Sequence, residues 1–216
     1  MSTNHFEKIV WSPDFAYVIG LIVTDGNLSK DGRHINFTSK DIELVNIVKN
    51  TLNLTNKISL KIRGAEPKTT CYFLQFGSIN LYKFLLSIGL MPSKSKVIAE
   101  VKIPKRYYDD FLRGHFDGDG TFYSYKDKRW PSSFLFYLVF MSASENHINW
   151  LRVQNSLKYR VSGHISKNKN SSVYQLRYGK KESLVILRKM YSNSSLCLTR
   201  KLLKIKQALD IISESL

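Results

Sequence analysis

Two acidic residues, each followed by glycine, close two variants of a single pattern. These are Tyr17-Val-Ile-Gly-Leu-Ile-Val-Thr-Asp-Gly26 and Phe111-Leu-Arg-Gly-His-Phe-Asp-Gly-Asp-Gly120. Each copy is an apolar helical run with a mid-run glycine, Gly20 or Gly114, that ends at Asp25 or Asp119. A carboxylate at a helix C-terminus faces the negative end of the helix dipole, which costs about 0.3–1 kcal/mol. Repeating that cost at equivalent positions asks for compensation, and a divalent cation is the natural one. Mg²⁺ binds through one or two carboxylates together with waters and phosphate oxygens, so a sparse protein ligand set is enough. A metal held in this way activates water and stabilises charge on a leaving oxygen. The pattern therefore predicts metal-assisted phosphodiester hydrolysis, once for each copy.

Glycine inside a helix costs about 1 kcal/mol relative to alanine. Gly20 and Gly114 thus predict a close helix crossing that brings Asp25 and Asp119 together. The plainer alternatives are a tight crossing without function and ordinary Asp-Gly turns, and Asp31-Gly32 is read as such a turn.

The chain has 216 residues and a formal net charge of +16. Its first 105 residues carry 14 basic and 8 acidic side chains, and the remainder 19 and 9. Both halves are basic, so the charge spreads over a broad surface suited to a polyanion, nucleic acid before an anionic membrane. Hydrophobic residues at 43% fit a globular protein with a proper core. The longest apolar run, 134–141, is strand-sized, which predicts no membrane span. The N-terminus lacks a secretory pattern, and Cys71 and Cys197 show no metal-ligand or disulfide spacing. The expected location is intracellular, in a bacterial cytoplasm and nucleoid or in an organelle.

Ser12-Pro13-Asp14 reads as an N-cap, a proline at the first helical position and an acid in the first turn. The helix it starts runs to Asp25. A hairpin turning at Asp31-Gly32 follows, with Leu28 facing Ile35, Ser29 facing His34 and Asn27 facing Asn36. A helix over 41–53 comes next. The alternating strand 57–63 places Lys57, Ser59, Lys61 and Arg63 on one side and Ile58, Leu60 and Ile62 on the other. A partner strand over 72–76 and a helix over 79–89 complete the unit. The same order recurs in helix 106–118, strands 121–126 and 134–141, helix 144–157, strands 161–166 and 173–178, and helix 181–191. A final helix over 199–213 has no counterpart of equal length.

The two motifs resemble those of the LAGLIDADG homing endonuclease family in its monomeric, two-motif form. Val18 to Gly26 and Leu112 to Gly120 align with the nine-letter pattern position by position, with Val23 replacing the first, non-catalytic acid that Asp117 supplies in the second copy. The resemblance implies an α+β fold of two pseudo-symmetric αββαββα halves, with antiparallel saddle-shaped sheets and paired motif helices at the interface. The expected division is residues 1–96 for the N-terminal half, 97–105 for a connector, and 106–216 for the C-terminal half with its extra helix. The resemblance further implies hydrolysis of one phosphodiester per strand across the minor groove of a long, asymmetric DNA site by a monomer. Mg²⁺ is the implied metal, bound by Asp25 and Asp119, with Mn²⁺ able to substitute and Ca²⁺ binding without supporting cleavage.

Ser39 and Lys40 match the polar and basic groups that the family places near its metals. Lys94, with Lys96 as the alternative, matches a lysine that follows the last helix of the first half. In the second half Ser142 takes the polar place, Ala143 stands where a lysine is common, and Arg200 or Lys201 corresponds to Lys94. Strand alternation gives the DNA-facing set: Asn27, Ser29, Arg33, His34, Asn36, Lys57, Ser59, Lys61, Arg63 and Gln75, then Tyr123, Tyr125, Ser162, His164, Gln175 and Arg177. The aromatic run 134–140 is read as sheet core, Trp11, Trp130 and Trp150 as core or rim, His115 as packed, and His5 and His147 as surface residues. The alternative functions are an RNA maturase acting on host intron RNA, and a DNA-binding regulator of the same fold that does not cut.

Overall fold

The computed structural model describes residues 9–63, 69–130, 133–167, 171–192 and 196–216; His5 lies outside them. Helix α1 (Pro13–Asp25) starts as its sequence dictates, with the Ser12 hydroxyl accepting from Phe15 N at 3.1 Å and proline in the first turn. Every residue from Phe15 to Val23 is buried, which only a helix running through the middle of a protein can achieve. Strands β1 (Gly26–Leu28) and β2 (His34–Ser39), helix α2 (Ile42–Thr51), strands β3 (Ser59–Arg63) and β4 (Thr69–Gly77), and helix α3 (Ile79–Ser87) follow. The second half repeats the order: α4 (Tyr108–Asp119), β5 (Thr121–Lys126), β6 (Phe134–Ser142), α5 (Glu145–Tyr159), β7 (His164–Lys167), β8 (Tyr174–Tyr178) and α6 (Lys180–Tyr191). Helix α7 (Thr199–Asp210) is the addition.

Each half forms a four-stranded antiparallel sheet, ordered β1-β2-β4-β3 and β5-β6-β8-β7. The hairpin register is the expected one, with Asn27 opposite Asn36 and Leu28 opposite Ile35. Asp31 fixes the turn by accepting from the backbone N–H groups of Arg33 and His34, each at 3.0 Å. One face of each sheet packs on helices through Leu28, Ile35, Phe37, Leu74 and Phe76 in the first half, and Phe122, Phe136, Leu138, Phe140 and Leu176 in the second. The opposite faces carry the polar rows.

The motif helices α1 and α4 cross at the centre with their backbones in contact. A Cβ on Gly20 would lie 2.2 Å from Phe111 O, and one on Gly114 would lie 2.0 Å from Tyr17 O. Neither position has room for any side chain, which is the physical reason for both glycines.

Several sequence expectations about packing fail. Strand β3 begins at Ser59, leaving Lys57 in the preceding loop, and its supposedly inward residues Leu60 and Ile62 are 67% and 66% exposed. They point to the helix side of an edge strand that helices do not cover, so alternation gave the face and not its cover. Tyr137 and Leu135, within the supposed core run, pair with Tyr123 and Tyr125 on the open face. His147 is 1% exposed and stacks on Trp150 at 5.3 Å between ring centroids. Trp11 and Trp150 pack at the rim as read, whereas Trp130 is exposed.

Candidate active site and nucleic-acid interface

The close crossing places the ends of α1 and α4 side by side. A Cβ on Gly118 would lie 3.2 Å from Asp25 Oδ2 and 2.0 Å from Thr24 Oγ1, so the Asp25 carboxylate abuts the residue before Asp119. Asp119 is exposed at this point, yet protein crowding on its other sides raises its pKa against the pull of Lys94 and Lys201. A cavity of about 230 Å³ opens beside it, lined by Thr24, Ser95, Asp119, Ser142 and His147 among others.

Two buried lysines lie beneath the acids. Lys94 Nζ donates to the carbonyl of Gly26 at the end of α1. Lys201 Nζ donates to Phe116 O at 2.6 Å, Gly120 O at 2.7 Å and Asp117 O at 2.9 Å, at the end of α4. Each ammonium group thus binds carbonyls at a helix end, with Phe116 O also accepting from Gly120 N at 2.8 Å, and opposes the negative end of its dipole. Desolvation lowers both lysines to about 8, while the charges of Asp25 and Asp119 act in the opposite sense on both. The four groups therefore form one electrostatic unit. The carboxylates at the helix ends are offset first by these lysines, a compensation that the sequence argument assigned to metal alone.

Buried neighbours make the junction rigid. Asp117 accepts from Tyr17 Oη at 2.7 Å and from Leu198 N at 2.8 Å. Arg113 donates to Leu196 O at 2.7 Å and pairs with Asp110 at 2.8 Å. His115 and His147 stand with their Nε2 atoms 3.1 Å apart, and burial lowers the pKa of each, keeping both neutral.

The open faces of the sheets carry hydrogen-bonding groups in rows. Asn27, Asn36 and Gln75 lie side by side across β1, β2 and β4. Ser59 and Lys61 continue that face on β3, where the Lys61 ammonium lies 5.2 Å from the Phe73 ring centroid. In the second sheet His164 lies opposite Arg177 on the neighbouring strand. Tyr137 stacks between Tyr123 and Tyr125 at centroid distances of 5.2 Å and 6.3 Å.

A family model described as a LAGLIDADG-like domain matches residues 12–89, and one described as a WhiA LAGLIDADG-like domain matches residues 108–208. The chain belongs to the LAGLIDADG family. It is 34% identical over 133 residues to the uncharacterized protein MJ0398 of Methanocaldococcus jannaschii, a match covering 55% of this chain and 45% of that protein. The chain thus matches less than half the length of this relative. Among solved structures it is similar to the homing endonuclease I-WcaI bound to its DNA recognition sequence, with a TM-score of 0.64, 15% identity, and coverage of 90% of this chain and 88% of that one. For the homing endonuclease I-GzeII in complex with its DNA target the values are 0.61, 14%, 94% and 92%. For full-length DUF199/WhiA from Thermatoga maritima they are 0.55, 16%, 96% and 63%. At these identities the likeness concerns the LAGLIDADG fold.

Within this LAGLIDADG chain, Asp25, Asp119, Lys94 and Lys201 come together, and the other candidates separate from them. Lys201 and not Arg200 corresponds to Lys94, because Arg200 turns away into a bidentate pair with Asp41, both contacts at 2.7 Å. Lys96 and Lys40 are exposed. The Ser39 hydroxyl accepts from Asp41 N at 3.2 Å, and Ser142 accepts from Ser144 N at 3.0 Å, so the two serines shape equivalent turns ahead of α2 and α5. Asn27, Ser29, Arg33, His34, Asn36, Ser59, Lys61, Gln75, Tyr123, Tyr125, His164, Gln175 and Arg177 lie on or beside the open faces. The strand position of Arg63 continues that face. Ser162 precedes β7, and its N–H is taken by the Glu182 carboxylate at 2.6 Å. Tyr137 and Ser166 share these faces and were missed; strand alternation through Tyr123 and His164 would have found them.

Proposed function

We propose that this LAGLIDADG protein binds a long, asymmetric duplex DNA site across its two open sheet faces and cleaves both strands with divalent metal held by Asp25 and Asp119. The observation that carries this reading is the placement of the Asp25 carboxylate against Gly118, beside Asp119, with Lys94 and Lys201 coupled to both acids. Among the described residues no three histidine, cysteine, aspartate or glutamate side chains form a ready-made metal cage. Mg²⁺ requires none, because waters and phosphate oxygens complete its shell. Asp119 is exposed and lines the cavity at the helix ends, where such an ion could reach it from solvent. Divalent metal at this place would supply an activated water and charge stabilisation at the leaving oxygen.

The chain's own residues supply the rest. Lys94 and Lys201 hold the ends of the two motif helices through their terminal carbonyls. The polar rows of the two sheets supply contacts to base edges and phosphates. The net charge of +16 favours phosphate contacts and makes binding depend on salt. Mn²⁺ would replace Mg²⁺, and Ca²⁺ would support binding without cleavage.

A non-cleaving DNA-binding regulator is the second reading, and two observations favour it. The lysines already offset the helix-end acids, and residues 108–208 match a WhiA LAGLIDADG-like domain. The deciding experiment incubates the purified chain and its Asp25→Asn and Asp119→Asn forms with a randomised duplex library in Mg²⁺. Double-strand cuts by the parent chain, lost in both variants with binding retained, establish the nuclease. Specific retention of duplexes with no cut establishes the regulator. Preference for structured RNA over every duplex overturns both and points to a maturase.

A further inference from the structure

Each half of the molecule holds the lysine segment of the other. Thr199 and Arg200, which lead directly into Lys201, are bound by the start of α2 in the first half. Arg200 makes its bidentate pair with Asp41, and the Thr199 N–H donates to the Glu43 carboxylate at 3.1 Å and 3.2 Å. Conversely, the stretch that follows Lys94 is bound by the start of α5 in the second half. The Ser144 hydroxyl donates to Ile98 O, and His147 Nδ1 lies 2.7 Å from Ala99 O. The matching serine turns, Ser39 to Asp41 N and Ser142 to Ser144 N, show that equivalent parts of the two halves make the two braces.

The braces are alike in place and unlike in chemistry. The brace on the Lys94 segment is buried and neutral, since Ser144 and His147 are each 1% exposed and burial keeps His147 uncharged. The brace on the Lys201 segment is charged and open to solvent, with the Arg200 and Asp41 side chains 61% and 23% exposed. Salt screens exposed ion pairs and leaves buried neutral hydrogen bonds nearly untouched. Lys201 closes the end of α4 that carries Asp119, and Lys94 closes the end of α1 that carries Asp25.

We propose that Asp41 and Glu43 are positioning residues for the Lys201–Asp119 set, acting from the opposite half, and that their exposed ionic brace makes this set the salt-sensitive one. The consequence rests on the nuclease reading. As salt rises, or when Asp41 is neutralised, the protein passes from cutting two strands to nicking one, because the Lys94–Asp25 set keeps its buried brace.

The test uses the full chain and two readouts. The first is amide hydrogen exchange, which needs no nuclease activity. Asp41→Asn should speed exchange at residues 198–203 about two- to fivefold and leave 96–101 unchanged, and 0.5 M NaCl should act in the same direction on the parent chain. The exchanged pair Asp41→Arg with Arg200→Asp should restore protection. The second readout is a supercoiled plasmid bearing a duplex selected from a random library by the parent chain. Asp41→Asn should accumulate nicked circles with the second cut slowed at least tenfold, and the exchanged pair should restore linear product. Unchanged exchange at 198–203 in Asp41→Asn, or equal slowing of both cuts, overturns the proposal. If the parent chain does not cut at all, the nuclease reading fails while the exchange data still decide the brace.

Discussion

Tyr17 Oη donates to Asp117 Oδ2 at 2.7 Å, joining positions 100 residues apart in the two motif helices. Asp117 is fully buried, and its Oδ1 has no partner among the described residues. Burial raises its carboxyl to about 6 against the opposing pull of Tyr17, Lys201, Leu198 N–H and Arg113. The bond therefore joins the halves at a cost that depends on pH.

The sign of that dependence follows from linkage. The folded state holds the Asp117 proton more tightly than an unfolded aspartate near 3.8, so this contribution to stability is complete below pH 4 and is lost as pH rises through about 6. The shift corresponds to roughly 3 kcal/mol. Asp117→Asn removes the titration. Urea unfolding at pH 4 and pH 8 should therefore show the variant gaining about 2–3 kcal/mol on the parent chain between the two values. A constant gap would mean that the carboxyl titrates normally.

The glycine crossing makes a harsher prediction. Alanine at Gly20 or Gly114 places its Cβ within 2.2 Å of a backbone carbonyl on the partner helix, where no side chain can move aside. The helices must separate, at a cost of at least 1–3 kcal/mol as in other overpacked cores. Gly20→Ala and Gly114→Ala should lower the thermal midpoint by several degrees. Gly32→Ala isolates backbone strain from crowding, because nothing lies within 4 Å there while its φ of +80° costs an alanine about 1–2 kcal/mol.

Much of this arrangement was legible in the sequence, because each inference rested on local rules. Ser12-Pro13 marked the start of α1, Asp31-Gly32 fixed a register that the structure keeps, and the paired glycines implied the crossing. What escaped was tertiary. Leu60 and Ile62 alternate as an inward face should, but whether a helix covers an edge strand is not written in that strand. His147 is polar by type and buried by partnership with His115 and Ala99 O. The choice between Arg200 and Lys201 depended on Asp41, 159 residues away from Arg200. Charge compensation at the helix ends required the same long reach.

Lys201 carries its own prediction. Its ammonium, lowered to about 8 chiefly by desolvation, serves three carbonyls at the end of α4. A depressed lysine contributes stability that is complete above the unfolded value of 10.5 and is lost as pH falls through about 8. Lys201→Met removes the donor to Asp117 O and Gly120 O, while Phe116 O keeps the Gly120 N–H, and costs about 1–3 kcal/mol at pH 7.5. The gap to the parent chain should then widen by roughly 2 kcal/mol by pH 9.5, because only the parent gains from deprotonation. Chemical denaturation at the two pH values checks both parts.

Arg177 should set sequence preference in the second sheet. Its guanidinium lies 6.0 Å from the Tyr123 ring centroid and 5.7 Å from that of Tyr137, and Nη2 reaches Gln175 Oε1 at 3.4 Å. The tyrosines hold the planar fork in place before any nucleic acid arrives, so little side-chain entropy is lost on contact. Such a fork suits the O6 and N7 acceptors of guanine, a contact that discriminates by about 1–3 kcal/mol. Lysine keeps the charge but loses the fork. Sites selected from a random duplex library by Arg177→Lys should therefore relax at one guanine position, with total affinity falling less than tenfold. Tyr137→Ala should relax the same position by freeing the arginine. A uniform loss of affinity across all sequences, with a smaller salt slope, would instead make Arg177 a phosphate contact.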